Sequence, residues 1–460
     1  MIFRIYPTKD TWITNDFRYP NYTRLSGANV GLSEELDVFK RSGISGAAGM
    51  IGSSSLSRIL MQFDMSAFTA LTASGDLPYA GLTFYLRMNH KTHGGTQPTS
   101  YDMTLKPVSS AWDEGTGNDI DLVDKGYANW DKRTSTSFWT TPGGDYLSSP
   151  TASIHFDLGT EDVEVDITPI VNGWLSGTIA NNGIGLMMTA SIESNSVYID
   201  YYQKKFYSRN SFYTDRVPYI EARANDSLRD DRANMQWART GTLFLYDVVG
   251  GSFQNLPGNF LTVSISDSSG VLVYLTASSG TSTGIYSASF SLPTGTFSSG
   301  RPYSGSIFYD SWGSGSFAFN TGTFSIITAG PVQSLVQSPL TARIRNMQDE
   351  YLPEDVAVLE VMFRKKLNTL AVVQTASLKS TPYIVEQAYY AIENDSTRER
   401  VIPFGTGSQN HTKLSYGENG NSFKLFMNNL HAGNAYRVIF LVNEQGRRQI
   451  IDGGFRFRVI

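Results

Sequence analysis

Cysteine is absent from this chain of 460 residues. Its absence excludes a disulfide framework, a thiol nucleophile and a thiolate metal site, so the fold has to be stabilised by packing alone. Charge is scarce as well: charged residues make up 17% of the chain, and the formal net charge is −5 with a pI near 5.6. A chain with this balance offers no basic surface to neutralise phosphates, and we expect no nucleic-acid partner.

Long apolar runs are also missing. No stretch approaches the roughly 20 apolar residues of a membrane span, and residues 1–7 contain no apolar segment of signal-peptide length. We therefore expect no membrane partner and no export through a signal of the chain's own. A virion protein, which assembles in the host cytoplasm and functions outside the cell, fits this absence combined with a composition rich in Ser, Thr and Gly.

The residues that are abundant favour β structure. Hydrophobic residues make up 40% of the chain, which contains 25 Tyr, 26 Phe and 42 Gly. Aromatic side chains suit half-buried pleated surfaces, and Gly supplies the positive φ that tight turns require. At about 150 residues per domain, the length predicts about three domains.

Short alternating apolar runs, separated by turn signals, extend along the whole chain and predict an all-β fold. The turn signal Asp267-Ser268-Ser269-Gly270, between two of these runs, predicts a hairpin. Charges cluster at residues 226–232, which indicates a solvated linker, and Gly330-Pro331 interrupts a later strand-rich stretch. We predict an N-terminal jelly-roll β-sandwich followed by two immunoglobulin-like or fibronectin-like β-sandwiches. The predicted divisions are 1–225 for the jelly roll, 226–240 for the linker, 241–330 for the immunoglobulin-like sandwich and 331–460 for the C-terminal sandwich.

Two long polar stretches interrupt the strands of the first module. Residues 27–57 and 113–150 are too polar for a core and too long for a hairpin, so we interpret them as functional or interfacial loops. The pattern also predicts one short helix at residues 169–175, with Thr168 as its cap and Gly177 at its end.

Six segments follow one another along the first module: residues 10–13, 57–66, 111–114, 166–177, 182–186, and 206–209 with 217–220. Together they resemble the DNRLRE-type jelly-roll family, β-sandwich modules that are related to carbohydrate-binding modules and occur on cell-surface proteins and in virions. The resemblance implies a jelly-roll fold and contact with a carbohydrate. In the last module, residues 384–390, 401–407, 412–416 and 455–459 resemble a C-terminal module of virion structural proteins in large tailed phages.

The residues behind the first resemblance are interpreted mainly as fold-makers. Arg58 and Asp64 flank an alternating strand, where a buried ion pair or an Asp turn bond accounts for them. Trp112 and Trp174 are core anchors in this interpretation, and sugar-stacking platforms in the alternative one. The candidate glycan-contact residues are Trp112, Trp130 and Trp139.

A catalytic constellation is not recognisable in the sequence, and we expect the protein not to be an enzyme. One dense acidic cluster could serve a hydrolase or bind Ca²⁺, although it lacks the EF-hand spacing. A solvated loop is the alternative interpretation of this cluster. The candidate Ca²⁺ ligands are Asp113, Asp119, Asp121 and Asp124, and we expect no other cofactor.

The sequence therefore favours a protein that binds and assembles. Our first hypothesis is a structural component of a tailed bacteriophage virion, a connector or decoration protein of the tail, neck or baseplate. Its partners would be other virion proteins and copies of itself. The alternative is a carbohydrate-binding adhesion protein that recognises a glycan of the host surface.

Overall fold

A computed structural model describes residues 1–18, 23–42, 54–73, 81–94, 98–121, 127–195, 200–249, 252–256, 261–279, 284–294, 303, 306–314, 317–326, 339–365, 383–444 and 446–460. The described residues are mostly β, with 51% in strands and 7% in helices. Its antiparallel sheets form sandwich-like domains, so the prediction of an all-β sandwich fold is confirmed. Within these ranges no helix is long and apolar enough to cross a membrane.

The chain divides into two compact units. The N-terminal unit comprises Phe3–Ala70 and Leu82–Arg223, and the C-terminal unit comprises Met1–Ile2, Leu71–Gly81 and Ala224–Ile460. The finer division at residues 225, 240 and 330 stays a prediction.

Within the described ranges, the elements up to residue 223 build two sheets and a two-stranded ribbon, in which Phe17–Arg18 pairs with Thr23–Arg24. The strands are β1 (Ile2–Ile5), β2 (Pro7–Thr14), β3 (Phe17–Arg18), β4 (Thr23–Arg24), β5 (Glu35–Ser42), β6 (Ser54–Phe63), β7 (Thr83–Met88), β8 (Tyr101–Pro107), β9 (Ala152–Phe156), β10 (Val163–Asp166), β11 (Ile184–Met188), β12 (Asp200–Tyr207) and β13 (Tyr219–Arg223). The helices are α1 (Ser66–Ala73), α2 (Thr168–Leu175) and α3 (Ala190–Glu193), and a 3-10 turn covers Thr214–Arg216. Among the described residues one sheet has the order β1-β13-β7-β10; the larger one has the order β12-β5-β6-β11-β8-β9, with β2 also paired to β6.

Alternation along these strands separates a core face from an outer face. On β7 every second side chain is buried, namely Phe84, Leu86 and Met88, and Phe68 of α1 packs against Phe84 with ring centroids 5.4 Å apart. In β6 the residues Ile59, Met61 and Phe63 are buried in the same way. The even-numbered residues of β6 therefore lie on the outer face of the larger sheet.

Residues 27–57 contain a core strand, so the prediction of a polar loop is wrong for this part of the chain. In β5, Leu36, Val38 and Phe39 are buried, and so are two charged residues, Asp37 and Lys40. The side-chain amide of Gln203 donates from Nε2 to Asp37 Oδ2 over 2.6 Å. Because buried charges interrupt the apolar pattern, the strand resembles a loop in the sequence. Residues 43–53 lie outside the described ranges.

The predicted helix is confirmed, but its predicted cap is wrong. Helix α2 covers Thr168–Leu175, and Gly177 follows it with φ of 73°. Thr168 lies inside the helix, where its Oγ1 accepts a hydrogen bond from the Phe84 amide over 2.9 Å. The Thr168 amide instead donates to Asp166 Oδ1 over 2.8 Å. The hydroxyl therefore joins the helix to β7 rather than capping it.

The elements after residue 223 form further sheets. The strands are β14 (Gly241–Tyr246), β15 (Val248–Val249), β16 (Ser252–Phe253), β17 (Leu261–Asp267), β18 (Gly270–Ser279), β19 (Ile285–Phe290), β20 (Ile307–Ser314), β21 (Phe317–Ser325), β22 (Leu340–Ile344), β23 (Glu350–Tyr351), β24 (Val356–Lys365), β25 (Ala388–Asn394), β26 (Arg400–Ile402), β27 (Ser415–Gly417), β28 (Gly420–Phe426), β29 (Ala435–Glu444) and β30 (Arg447–Val459). A 3-10 turn covers Met427–Asn429. In the described part of the chain, the sheets have the orders β14-β19-β18-β17-β20-β21, β22-β24-β28-β27 and β23-β30-β29-β25-β26, besides the ribbon β15-β16.

Strand β18 joins the two halves of the first of these sheets. Its residues up to Ala277 pair with β17, and Ser278 and Ser279 pair with β19. A strand that changes partners in this way lets a sheet fold over its own core. The predicted hairpin is confirmed, because Ser268 and Ser269 form the loop between β17 and β18.

The last two sheets pack face to face. Tyr390 of β25 stacks on Phe423 of β28 with ring centroids 4.4 Å apart, and Phe363 of β24 meets Phe440 of β29 at 5.7 Å. Each pair joins one sheet to the other, so aromatic side chains form the centre of this sandwich.

Residues 226–240 are not solvated throughout, in contrast to the linker prediction. Met235 is 1% exposed and belongs to the core beneath β14 and β17. The guanidinium of Arg232 donates to Asp310 Oδ2 over 2.5 Å, and Asp310 is fully buried in β20. Trp312 donates its indole N–H to the same oxygen over 2.7 Å. A run of charges in sequence is thus partly a buried ion pair.

We predict that Arg232→Met lowers the free energy of unfolding around β20 by about 3–5 kcal/mol, because Asp310 would keep a buried charge without its partner. Hydrogen exchange of the β20 amides in the full chain measures this local stability. The matched control is Arg239→Met, which removes an ion pair to Glu386 whose side chains are 56% and 43% exposed. This change should cost less than about 1 kcal/mol. Equal effects of the two substitutions would contradict the prediction.

Candidate functional site

A polar cleft lies on the outer face of the larger sheet of the N-terminal unit. Its volume is about 640 Å³, which is within the range of ligand-binding clefts. The strands β6, β11 and β8 form its floor, and α3 and residues 140–146 form its walls. The lining residues are Arg58, Thr104, Lys106, Ser109, Ser110, Thr140, Thr141, Gly144, Asp145, Tyr146, Met187, Met188, Ala190 and Glu193.

Strand register explains why these side chains meet. Gly185 of β11 pairs with Leu60 on one side and with Lys106 on the other, and Met187 pairs with Thr104. Paired residues of neighbouring strands project from the same face of a sheet, and so do residues two apart in one strand. Arg58, two residues before Leu60, therefore shares the outer face with Lys106 and Thr104.

Arg58 is the central charge of the cleft. Its Nε and Nη2 donate to the two carboxylate oxygens of Glu193 over 3.0 and 2.6 Å, and its Nη1 donates to the carbonyl of Gly143 over 2.9 Å. The guanidinium also lies over the rings of Trp130 and Tyr146, with centroid distances of 5.2 and 5.7 Å. A bidentate pair between aromatic rings holds the side chain in one orientation. Arg58 thus forms its ion pair with Glu193, a partner that the sequence analysis does not name, and not with Asp64.

Tyr146 closes one side of the cleft. Two glycines determine the position of its ring and of its hydroxyl group. A Cβ at Gly185 would come within 2.2 Å of the Tyr146 ring, so this ring covers a position where only hydrogen fits. Gly143 has φ of 94°, and its carbonyl accepts the Tyr146 hydroxyl over 2.9 Å. Burial raises the pKa of Tyr146, so the hydroxyl stays a neutral donor.

The rest of the lining offers hydrogen-bonding groups of both kinds. Asp145 accepts the backbone amides of Thr140 and Thr141 over 2.9 and 3.0 Å, which fixes the wall of the cleft. Lys106 is a half-buried ammonium on the floor, and Ser and Thr hydroxyls line the margin. Such a surface suits a ligand that carries many hydroxyl groups.

The candidate glycan-contact residues Trp112, Trp130 and Trp139 are buried, with 1%, 7% and 5% of their surface exposed. They form a satellite core with Ile13, Leu60, Val108 and Ala128 on the outer face of the sheet. Trp112 donates its indole N–H to the carbonyl of Asn182, and Trp139 donates to that of Asn129, both over 2.9 Å. Each ring is thus a packing element, and glycan contact at these residues stays a prediction.

This satellite core corrects the interpretation of residues 113–150 as too polar for a core. Ala128, Trp130 and Trp139 are all buried against the sheet. A few large side chains in a long polar stretch supply enough apolar area to pack one face of it. The stretch therefore belongs to the fold, and its outer side forms a wall of the cleft.

Three of the six segments behind the jelly-roll resemblance meet in one network. Arg209 donates from Nε and Nη2 to the carboxylate of Glu114 over 2.7 and 2.6 Å, and the Arg209 amide donates to Asp10 Oδ2 over 2.6 Å. The Asp10 amide donates to Glu114 Oε1 over 2.8 Å. Burial raises the pKa of Asp10 to about 7. The signature residues thus tie β2, the chain after β12 and the long loop together.

Asp64, the other flanking residue, makes a turn. Its Oδ1 accepts the Ser66 amide over 2.9 Å, and the Ser66 hydroxyl donates to its Oδ2 over 2.8 Å. These bonds lower the pKa of Asp64 and start helix α1. The interpretation as an Asp turn bond is confirmed.

The three candidate Ca²⁺ ligands that lie in the described ranges do not form a metal-binding group. Asp113, Asp119 and Asp121 are exposed, and Asp121 Oδ1 lies 2.7 Å from the guanidinium of Arg18. Asp124 lies outside the described ranges. Among the residues that the structure describes, no group of three or more His, Cys, Asp or Glu side chains could hold a metal ion. Calcium binding by this loop stays a prediction.

An exposed aromatic cluster is absent from the sequence predictions. Phe212 and Tyr213 are 85% and 58% exposed, and Tyr213 meets the ring of Tyr207 with centroids 5.7 Å apart. Adjacent aromatic residues in a polar stretch without alternation are the signal that could have identified it, since such residues have no core face to enter.

Comparisons with known proteins give distant similarity alone. No family model matches the chain, and no curated protein matches it. Trypsin-activated alpha-2-macroglobulin from Escherichia coli is 9% identical with a TM-score of 0.17, over 94% of this chain and 29% of that one. The first two immunoglobulin domains of DIP-gamma are 12% identical with a TM-score of 0.14, over 51% and 95% of the two chains. The N-terminal four immunoglobulin domains of a Dscam1 isoform are 7% identical with a TM-score of 0.13, over 59% and 58%.

These are multi-domain β-sandwich proteins, and none of them assigns a family. The chain spans less than a third of the length of the bacterial alpha-2-macroglobulin.

We predict that Asp10 makes the N-terminal unit less stable as the pH rises from 4 to 7, and that Asp10→Asn removes this contribution to the pH dependence. With an ordinary pKa of 3.8 and a folded-state pKa of about 7, the folded chain retains the proton in this range, whereas the unfolded chain releases it. The contribution of Asp10 is therefore complete below about pH 4 and is lost as the pH rises through 7. Hydrogen exchange of the β2 amides at several pH values measures the slope.

The control for this prediction is Asp64→Asn. Asp64 is exposed and its pKa is lowered, so it titrates below pH 4 and its removal should leave the slope unchanged. A slope that is the same in Asp10→Asn as in the natural chain would refute the assignment.

Proposed function

We propose that this protein is a non-catalytic structural component of a tailed bacteriophage virion, a connector or decoration protein of the tail, neck or baseplate. It is assembled in the host cytoplasm and exposed outside the cell. It functions through contacts with other virion proteins and with copies of itself.

The observation that carries this proposal is that several aromatic side chains are exposed on units that bury hydrophobic cores of their own. Phe212 of the N-terminal unit is 85% exposed, and Phe317 and Tyr274 of the C-terminal unit are 75% and 69% exposed. Aromatic side chains are enriched in protein interfaces and supply much of their binding energy. Sandwiches that bury their own cores keep such residues available for neighbours.

The resemblance of the last module to virion proteins of large tailed phages supports the same proposal. Its segments at residues 384–390 and 412–416 lie together, since Tyr389 and Lys413 form a bridge and the Leu414 amide donates to the carbonyl of Ala388 over 2.9 Å. The matching residues are therefore parts of one piece of the sandwich.

Mass spectrometry of purified particles tests the proposal. We predict that peptides of this chain are found in density-purified tailed phage particles from the source that carries the gene, at a constant ratio to a major tail protein. A non-structural protein from the same lysate serves as the control and should be lost during purification. Loss of this chain together with that control would contradict the proposal.

The second candidate function is recognition of a host-surface glycan, and the polar cleft favours it. Its Ser and Thr hydroxyls, Lys106, Asp145 and the Tyr146 ring are the groups that contact sugar hydroxyls and ring faces. In this case the cleft, rather than the buried tryptophans, is the contact surface.

A glycan array with the full chain tests the second candidate. We predict that any glycan retained by the natural chain binds Lys106→Ala about tenfold more weakly, because one charge-assisted hydrogen bond is lost. Lys132→Ala, which lies outside the lining residues, is the matched control and should bind as the natural chain does. A blank array, or equal binding by Lys106→Ala, would reject the cleft as a glycan site.

A further inference from the structure

The six-stranded sheet of the C-terminal unit has one covered edge. Strand β14 is its first strand, and the preceding chain pairs with the outward backbone groups of β14. The Asp231 amide donates to the Thr242 carbonyl over 3.2 Å, the Thr242 amide donates to Asp231 Oδ2 over 2.8 Å, and Arg232 Nη1 donates to the Phe244 carbonyl over 3.1 Å. This edge is thus unavailable to another strand.

The opposite edge, β21, is open as far as the described residues show. It pairs with β20, and none of the described residues pairs with its other side. Its burial differs from that of β14, because most of its residues are exposed and Phe324 alone among them is buried. Phe317 and Phe319 are 75% and 39% exposed.

From Asn320 to Ser325 strand β21 lacks the usual protection of an edge. Natural edge strands are shielded by charged residues, proline or a bulge. The strand Phe-Ala-Phe-Asn-Thr-Gly-Thr-Phe-Ser contains neither a charge nor a proline. Its pairing with β20 shifts between Trp312 and Gly313, which leaves Phe319 of β21 as a bulge near the turn, and the pairing from Asn320 to Ser325 is regular. Hence the regular part of the strand is ready to accept a partner.

We propose that β21 pairs antiparallel with β21 of a second copy of this chain. Like charges opposite one another oppose self-pairing, and this strand has none. An antiparallel pair of identical strands is related by a two-fold axis, so one strand satisfies both sides of the contact.

The neighbouring strand supports this choice of partner. Ile307 and Tyr309 of β20 are 52% and 42% exposed and pair with Ser325 and Thr323. Joining two copies would extend this uncharged face across the axis as one sheet. The inference deepens the proposed assembly role, because it names the strand through which copies of the chain meet.

Sedimentation of the full chain over a range of concentrations tests the inference. We expect a dimer of the natural chain, and we expect Thr321→Lys and Thr323→Lys to weaken it at least about tenfold by placing like charges across the axis. Thr262→Lys is the matched control: Thr262 is exposed on the same sheet, but on the interior strand β17, and this variant should dimerise normally. Mixing Thr321→Lys with Thr321→Glu should restore the dimer, which excludes misfolding as the cause.

Since the chain has no cysteine, Thr321→Cys adds a single thiol that should form an intermolecular disulfide under mild oxidation. Thr262→Cys should not. A natural chain that stays monomeric, as expected if another protein supplies the strand, would overturn self-pairing. So would a dimer that is insensitive to Thr321→Lys. Neither result bears on the presence of the chain in particles, and absence from particles would leave a lysine-sensitive dimer intact.

Discussion

A β-strand has two faces and, at the margin of a sheet, an unpaired edge, and each of these has to be covered or left to water. The inner faces of this protein meet in apolar cores. The outer face of the larger N-terminal sheet is divided: Trp112 and two tryptophans of the long loop, Trp130 and Trp139, cover one part, and the polar cleft occupies the next. In the six-stranded sheet of the C-terminal unit one edge is covered by Asp231 and Arg232, and at the other, β21, none of the described residues pairs with the outer side. We expect the function of this protein at the surfaces that the fold leaves uncovered, the polar cleft and the edge of β21.

Without disulfides, ion pairs of low exposure hold segments that are distant in sequence. Arg4 and Glu221 pair across neighbouring strands at 3.1 Å with 5% of each side chain exposed, and Arg232 and Asp310 pair at 2.5 Å. The network of Asp10, Glu114 and Arg209 has the same role. Breaking such a pair leaves an uncompensated buried charge, which makes the arrangement specific even where its net contribution to stability is small.

The sequence was sufficient for the class of fold because alternation and turn signals reflect local physics. The hairpin at Ser268-Ser269 and helix α2 were predicted on that basis. The sequence was insufficient wherever contacts between distant segments determine which residues are buried. Strand β5 resembles a loop because Asp37 and Lys40 are buried. Trp130 and Trp139 looked available for ligands, and their burial results from packing against Ile13 and Leu60, far away in sequence. The cleft depends on strand register, which places Arg58 on the same face of the sheet as Thr104 and Lys106. A short stretch of sequence does not contain the register between distant strands.

We propose that uncovered strand surface, rather than a catalytic centre, carries the function of this protein. Hydrogen exchange of the full chain at low and at high protein concentration tests it most directly. If β21 pairs with a second copy, amides of Phe317–Ser325 become protected as the protein concentration rises, while those of Gly241–Tyr246 exchange at an unchanged rate. Exchange in Phe317–Ser325 that is independent of concentration would contradict it.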